Sequence, residues 1–256
     1  MSLRLPAVAV QPVQAPHPER LAEMQYILLI NPNTSQPTTQ MMLDLARISL
    51  AGGRRGIRGL TLARGVPMIV GEDDLRAAAD AVGALELPDA SACGVIVGGF
   101  GDPGADALRR RLAVPVVGIG EAAMREAAQG GRRFGIATTT PALASSIVAN
   151  VRRHGLDTVF TGVRFTCGDP HMLGRDPAAL EAALAAAIRD SVETDGAEAV
   201  VIGGGPLGQA AHALSTRFEI PVIGPVPAAC RAIVRALDTQ GPDESPNPPI
   251  KESPQA

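Results

Sequence analysis

Short apolar runs alternate along this chain with longer stretches in which Ala, Leu and Arg recur at helical spacing. The runs Tyr26–Ile30, Gly94–Val97, Val114–Val117, Phe134–Thr138, Ala199–Ile202 and Pro221–Ile223 predict buried strands, because a strand covered on both faces needs no polar side. Less continuous runs at Gly59–Ala63 and Phe160–Phe165 predict two more. Helices are predicted over Thr38–Leu50, Asp74–Leu85, Ala105–Leu112, Glu121–Gln129, Pro141–His154, Pro177–Asp195, Gln209–Arg217 and Pro227–Leu237. Pro37, Pro141, Pro177 and Pro227 stand at or beside helix starts, where a missing N–H costs least. Strands alternating with helices predict an α/β fold of parallel sheet covered on both faces.

The pattern repeats. Gly99 lies 105 residues before Gly204, Pro115 lies 106 before Pro221, and Ile30-Asn-Pro-Asn-Thr34 lies 106 before Ile136-Ala-Thr-Thr-Thr140. Landmarks at nearly one offset predict two pseudo-symmetric Rossmann-like domains, with strand C-terminal ends facing an interdomain ligand cleft. The first half is placed at residues 25–130 and the second at 131–239, with the last helix free to pack on the first half. Residues 1–24 and 240–256 hold nine of the 22 prolines and almost no periodic apolar pattern, so both are read as disordered extensions.

Composition narrows the chemistry. Of 23 basic residues 22 are Arg, and the one Lys, Lys251, lies in the Pro-rich tail. A Schiff-base enzyme needs a buried or neighbour-activated Lys, and a P-loop needs Lys after its second Gly. Both classes are excluded for this chain. A net charge of −3, no Trp and one Tyr argue against a nucleic-acid partner. Cys93, Cys167 and Cys230 are odd in number and show no metal-ligand or disulfide spacing. No apolar run reaches membrane length and none reads as a signal peptide, so the expected location is cytoplasmic without a membrane partner.

Four predicted strand ends carry polar or Gly-rich loops. Asn31-Pro-Asn-Thr-Ser35 offers amides and hydroxyls, which either cap the next helix or bind a carboxylate or ureide; capping alone leaves the pair of Asn unexplained, so Asn31 is read as a binding residue. Gly98-Gly-Phe-Gly-Asp-Pro-Gly104 and Gly203-Gly-Gly-Pro-Leu-Gly208 permit close backbone approach ahead of a helix that favours anions. Asp102 before Pro103 reads as a helix start. Thr138-Thr-Thr-Pro141 adds hydroxyls. Together these loops predict a pocket built from Asn31, Gly99, Phe100, Thr138, Thr139, Gly204 and Gly205 for a small carboxylate or cyclic amide ligand.

These residues resemble the aspartate/glutamate/hydantoin racemase superfamily, and most nearly its hydantoin and allantoin racemase branch. The resemblance runs over about residues 26–237 and rests on Ile30-Asn-Pro-Asn-Thr34, Phe100-Gly-Asp-Pro-Gly104, Gly118-Ile-Gly-Glu-Ala-Ala-Met124, Ala137-Thr-Thr139 and Ile202-Gly…Ile220-Pro-Val-Ile223. It implies a cofactor-independent enzyme of two α/β domains acting on a small cyclic ureide, amino acid or related carboxylate. It also implies a Cys in each half, one thiolate removing the α-proton and the opposite thiol returning one. Here those positions are Gly99 and Gly204, so two-thiol racemisation is excluded.

The loop Arg164-Phe-Thr-Cys-Gly-Asp-Pro-His-Met172 holds the replacement acid–base candidates, Cys167, Asp169 and His171, of which His171 has the intrinsic pKa suited to work near neutrality. Cys230, in an apolar helix, reads as buried and inert, and Glu121 as a helix-start carboxylate. No metal site is expected. Three readings stand, in order: other chemistry in the same pocket (decarboxylation, elimination or ring hydrolysis), a non-catalytic ligand-binding protein, and racemisation with His171 or a carboxylate as base. A homo-oligomer is compatible with the sequence.

Overall fold

The computed structural model describes residues 25–88 and 91–239; the two predicted extensions lie outside the described residues. Among the described residues the strands are β1 (Tyr26–Asn31), β2 (Gly56–Thr61), β3 (Ala92–Val97), β4 (Val116–Gly118), β5 (Phe134–Thr138), β6 (Phe160–Phe165), β7 (Ala199–Ile202) and β8 (Val222–Ile223). They form two four-stranded sheets, ordered β2-β1-β3-β4 and β6-β5-β7-β8, and every pairing is parallel. One topology used twice is the structural form of the sequence repeat.

The helices are α1 (Gln36–Ser49), α2 (Glu72–Gly83), α3 (Ala105–Arg111), α4 (Ile119–Ala127), α5 (Ala144–Arg153), α6 (Pro170–Leu173), α7 (Pro177–Glu193), α8 (Gly208–Leu214) and α9 (Pro225–Thr239). The stretch predicted as one helix from Pro141 to His154 divides into a 3-10 turn, Pro141–Leu143, and α5. The short α6 lies in a segment that the spacing marked as loop; it forms because Asp169 accepts hydrogen bonds from the His171 and Met172 N–H groups ahead of Pro170.

Both faces of each sheet are covered, which is why the strands read as continuous apolar runs. In β1, Ile27 and Leu29 enter the cluster shared by the two sheets, while Tyr26, Leu28 and Ile30 enter a second cluster with β3 and α3. In β7, Ala199 and Val201 join the shared cluster and Val200 and Ile202 the outer cluster of the second sheet, with α7 and α8. The shared cluster runs from α1 and α4 of the first sheet to Phe134, Ile136 and α5 of the second. The last helix, α9, leaves the second sheet and packs on the first, against α1, α4 and β3.

Helix α7 starts beside the cleft. Its N-cap, Asp176, accepts from the N–H groups of Ala178 and Ala179, both at 3.1 Å. Asp176→Ala frees those two donors and is expected to cost about 1 kcal/mol in urea unfolding, with an unchanged dependence on denaturant concentration.

Candidate functional site

A cavity of about 370 Å3 opens between the two sheets at the C-terminal ends of β1, β3, β5 and β7. This is where open parallel sheets place ligands. The chain turns out of β3 and β7 in the same way in each half: the Gly98 N–H donates to the Ile30 carbonyl at 2.7 Å, and the Gly203 N–H to the Ala137 carbonyl at 2.8 Å. The two glycine loops then meet. A Cβ on Gly205 would lie 2.6 Å from the Gly98 carbonyl oxygen, so this contact between halves exists only with glycine there.

Gly99, Phe100, Thr139, Gly204 and Gly205 all line the cavity. Among the described residues, the N–H groups of Gly99, Phe100 and Gly101 have no backbone partner, and Thr38, Thr139, Thr140 and Ser146 line the same cavity. Most of the remaining wall is apolar, from Met41, Met68, Ile69, Leu75, Leu143 and Leu180.

Two predicted pocket residues sit one layer back. The Asn31 side chain is buried and donates to the Asn33 amide oxygen (2.9 Å), the Ser35 carbonyl (3.0 Å) and the Thr39 hydroxyl (2.9 Å). Those bonds shape the loop, and it is Asn33, two residues on, that reaches the cavity. Thr138 is fully buried and donates to the Gly203 carbonyl at 2.6 Å, tying the end of β5 to the second glycine loop.

Cys167, Asp169 and His171 are exposed and do not line the cavity, to which their segment contributes Pro170 and Gly174. Asp169 is engaged as the cap of α6. Cys230 is fully buried in α9, and burial pushes its thiol up to about 12, so it is inert as a nucleophile. Cys93 donates to the Tyr26 carbonyl at 3.4 Å and burial also raises its thiol.

Among the described residues the one ionisable side chain along the wall is Glu181, in the first turns of α7, and Arg217 pairs with it at 2.7 Å. Its place in an Ala-rich helix gave no signal in the sequence. Asp102 also departs from expectation. The residue before α3 is Gly104, at φ 79°, whereas the Asp102 carboxylate turns toward α4 and accepts from the Gly120 and Glu121 N–H groups at 2.8 and 2.7 Å. Glu121 itself is held by Arg109 and Arg125, beside His154.

This arrangement has counterparts. The chain is 31% identical to the hydantoin racemase of Paenarthrobacter aurescens over 212 residues, covering 80% of this chain and 88% of that protein. The crystal structure of allantoin racemase from Pseudomonas fluorescens is similar at a TM-score of 0.77 and 28% identity, over 84% of this chain and 92% of that one. Allantoin racemase from Klebsiella pneumoniae gives a TM-score of 0.76 at 27% identity, over 84% and 89%. The family described as Asp/Glu/Hydantoin racemase matches residues 27–233, the whole span that carries both sheets and the cleft. With paired sheets, glycine loops meeting across the cleft and a match over that span, the chain belongs to the Asp/Glu/Hydantoin racemase family.

Proposed function

We propose that this family member takes a small uncharged cyclic ureide or amide with an apolar substituent into the cleft, and that it does not exchange the ligand's α-proton through a pair of thiols. The observation that carries this reading is the wall itself: among the described residues its single charged side chain is Glu181, already paired with Arg217, and positions 99 and 204 are glycine. A dicarboxylate or zwitterion would meet no cation there to offset its desolvation. A ureide carbonyl, by contrast, needs only donors, and the N–H groups at positions 99–101, which have no backbone partner among the described residues, are the donors we assign to it. The relatives named as hydantoin and allantoin racemases support a ureide ring over an open amino acid.

The chemistry that fits such a wall is polarisation of a carbonyl. Preformed N–H donors stabilise negative charge developing on that oxygen, as in an enolate or tetrahedral species. Elimination from an uncharged ring and hydrolysis of it both pass through such a species, whereas decarboxylation would need a carboxylate that this wall does not pair. Non-racemase turnover by elimination or ring hydrolysis is therefore the first reading and ligand binding without turnover the second. Racemisation through Cys167, Asp169 or His171 would require their segment to fold inward over the cleft.

Isothermal titration separates the ligand classes. 5-Benzylhydantoin and 5-isopropylhydantoin are expected to bind more tightly than unsubstituted hydantoin or allantoin, whose substituent is polar, whereas aspartate and glutamate are not expected to bind. Incorporation of deuterium at C5 of the bound hydantoins should stay at the rate of buffer alone. Binding of aspartate as tight as that of 5-benzylhydantoin would overturn the ligand class, and C5 exchange well above buffer would overturn the exclusion of proton transfer.

A further inference from the structure

We propose that Asp102 is a two-state latch on the Phe100 wall of the cavity: as a carboxylate it accepts from the start of α4 and from Asn150 of the other half, and as a neutral acid it loosens its hold on α4 and donates to Asn150 instead. The latch acts on the chain itself, whatever ligand the cleft takes.

Asp102 follows directly on Gly99, Phe100 and Gly101, which line the cavity. It is buried, and among the described residues it is the one non-glycine with positive φ, at 51°. Asp tolerates that left-handed conformation better than most side chains, but at a cost that contacts must offset. Three contacts do so here: Gly120 N–H, Glu121 N–H and, at 3.2 Å, the Asn150 side-chain nitrogen on α5. The fit is close enough that a Cβ on Gly118 would fall 2.2 Å from the Asp102 Cγ.

The second state follows from an orphan atom. Asn150 is buried, and its amide oxygen has no hydrogen-bond partner. If Asp102 takes a proton from solvent, a half-turn of the Asn150 amide brings that oxygen to the new O–H, which then donates to it. Asp102 thus has an Asn150 partner in both protonation states, whereas the charge–dipole attraction to the start of α4 belongs only to the carboxylate.

Burial pushes the Asp102 carboxyl up to about 6, the three donors opposing it, so the change falls near neutrality. The charged group acting on it is Glu121 on α4, which is paired with Arg109 of α3 and lies beside His154 at the end of α5, while Asp106 on α3 pairs with Arg109 and Arg153. Burial holds His154 below its ordinary value, and ion pairs hold Asp106 and Glu121 below theirs. The sign is therefore distinct. Folded Asp102 keeps its proton to higher pH than an unfolded Asp, so its contribution to stability grows as pH falls from 7.5 to 5. Asp106 and Glu121 act in the opposite direction.

Carboxyl 13C and side-chain amide NMR of the wild-type chain, titrated from pH 4 to 8, test the latch. The Asp102 carboxyl and the Asn150 amide are expected to shift with one shared midpoint between pH 5 and 7. Protection of the Gly120 and Glu121 amides, corrected for intrinsic exchange, should fall about tenfold on the acid side. Asp102→Asn, whose amide mimics the neutral acid, should show the weaker protection at every pH. The Tm of the wild type relative to this variant should rise as pH falls, because contributions from the other groups cancel in the difference. An Asp102 midpoint below pH 4.5, or an Asn150 amide that does not move with pH, would overturn the proposal.

Discussion

Gly118→Ala should be among the most damaging single substitutions in this chain, with an expected loss of about 3–5 kcal/mol of unfolding free energy. The added methyl would stand 2.2 Å from Cγ and 2.3 Å from Oδ1 of Asp102. Neither side can yield cheaply. Gly118 ends β4, in register with Val97, and Asp102 is fixed by two backbone N–H groups and by Asn150. Overpacking alone costs about 1–3 kcal/mol, and displacing a buried carboxylate from its donors adds the penalty of an unpaired charge. Gly120→Ala should behave alike, since its methyl would meet the Phe100 carbonyl at 2.4 Å. Urea unfolding of Gly118→Ala, alone and combined with Asp102→Gly, checks the cause: the double variant should be much less damaged than the sum of the two single ones. A loss below about 1 kcal/mol in Gly118→Ala would mean that the carboxylate is not locked in place.

The second large effect is a gain. Gly99→Cys with Gly204→Cys is expected to raise C5 proton exchange of 5-substituted hydantoins at least about 100-fold over the parent, the lower range for a positioned acid and base. Both positions line the cleft, one on each glycine loop. The two sites are not equally ready. At Gly204 the backbone is extended, with φ 168°, and a Cβ would meet only the Leu207 side chain, at 3.1 Å. At Gly99 a Cβ would meet the rings of Pro32 and Pro103 at 2.7 and 2.9 Å, and rings do not rotate away. Gly204→Cys should keep the parent stability, while Gly99→Cys should lose about 1–3 kcal/mol. Each single variant should lack inversion, because one thiol serves one face. Racemisation by either single variant would show that another group already supplies the second proton.

The architecture was legible because its signal is local. Runs such as Phe134–Thr138 and Ala199–Ile202 coincide with β5 and β7, since strands buried on both faces stay apolar up to a polar residue such as Thr138 at the C-terminal end. The offset of 105–106 residues likewise corresponds to one sheet order used twice. The glycine loops and Thr139 were legible as cavity lining for the same reason: they follow the strand ends directly.

What was not legible depends on distance or on single-residue orientation. Asp102 next to Pro103 reads as the start of its own helix, yet its partners lie 18 and 19 residues ahead on another one. Asn31 and Asn33 are alike as letters, and only the turn after β1 decides that the first is spent on its own loop while the second meets the cavity. Glu181 reaches the wall because α7 happens to run past it, which helical spacing cannot reveal. Even the extent of α9 was shortened in the sequence reading, because Pro225 and Val226 resemble the apolar strand just before them.

The crossing of α9 back onto the first sheet bears on how the chain is made. Ile233 packs so closely on β3 that a Cβ at Gly94 would lie 3.1 Å from it, and Cys230 and Leu237 join the same cluster as Ile27 and Ile96. During synthesis the first sheet is complete by Gly118, but one of its faces waits for residues emerging more than a hundred positions later. The first half therefore cannot complete its core until the end of the second has been made. Contacts of that sequence separation also slow the search for the native state. Until its final helix arrives, the nascent chain carries a partly uncovered apolar sheet face, the kind of surface that chaperones hold.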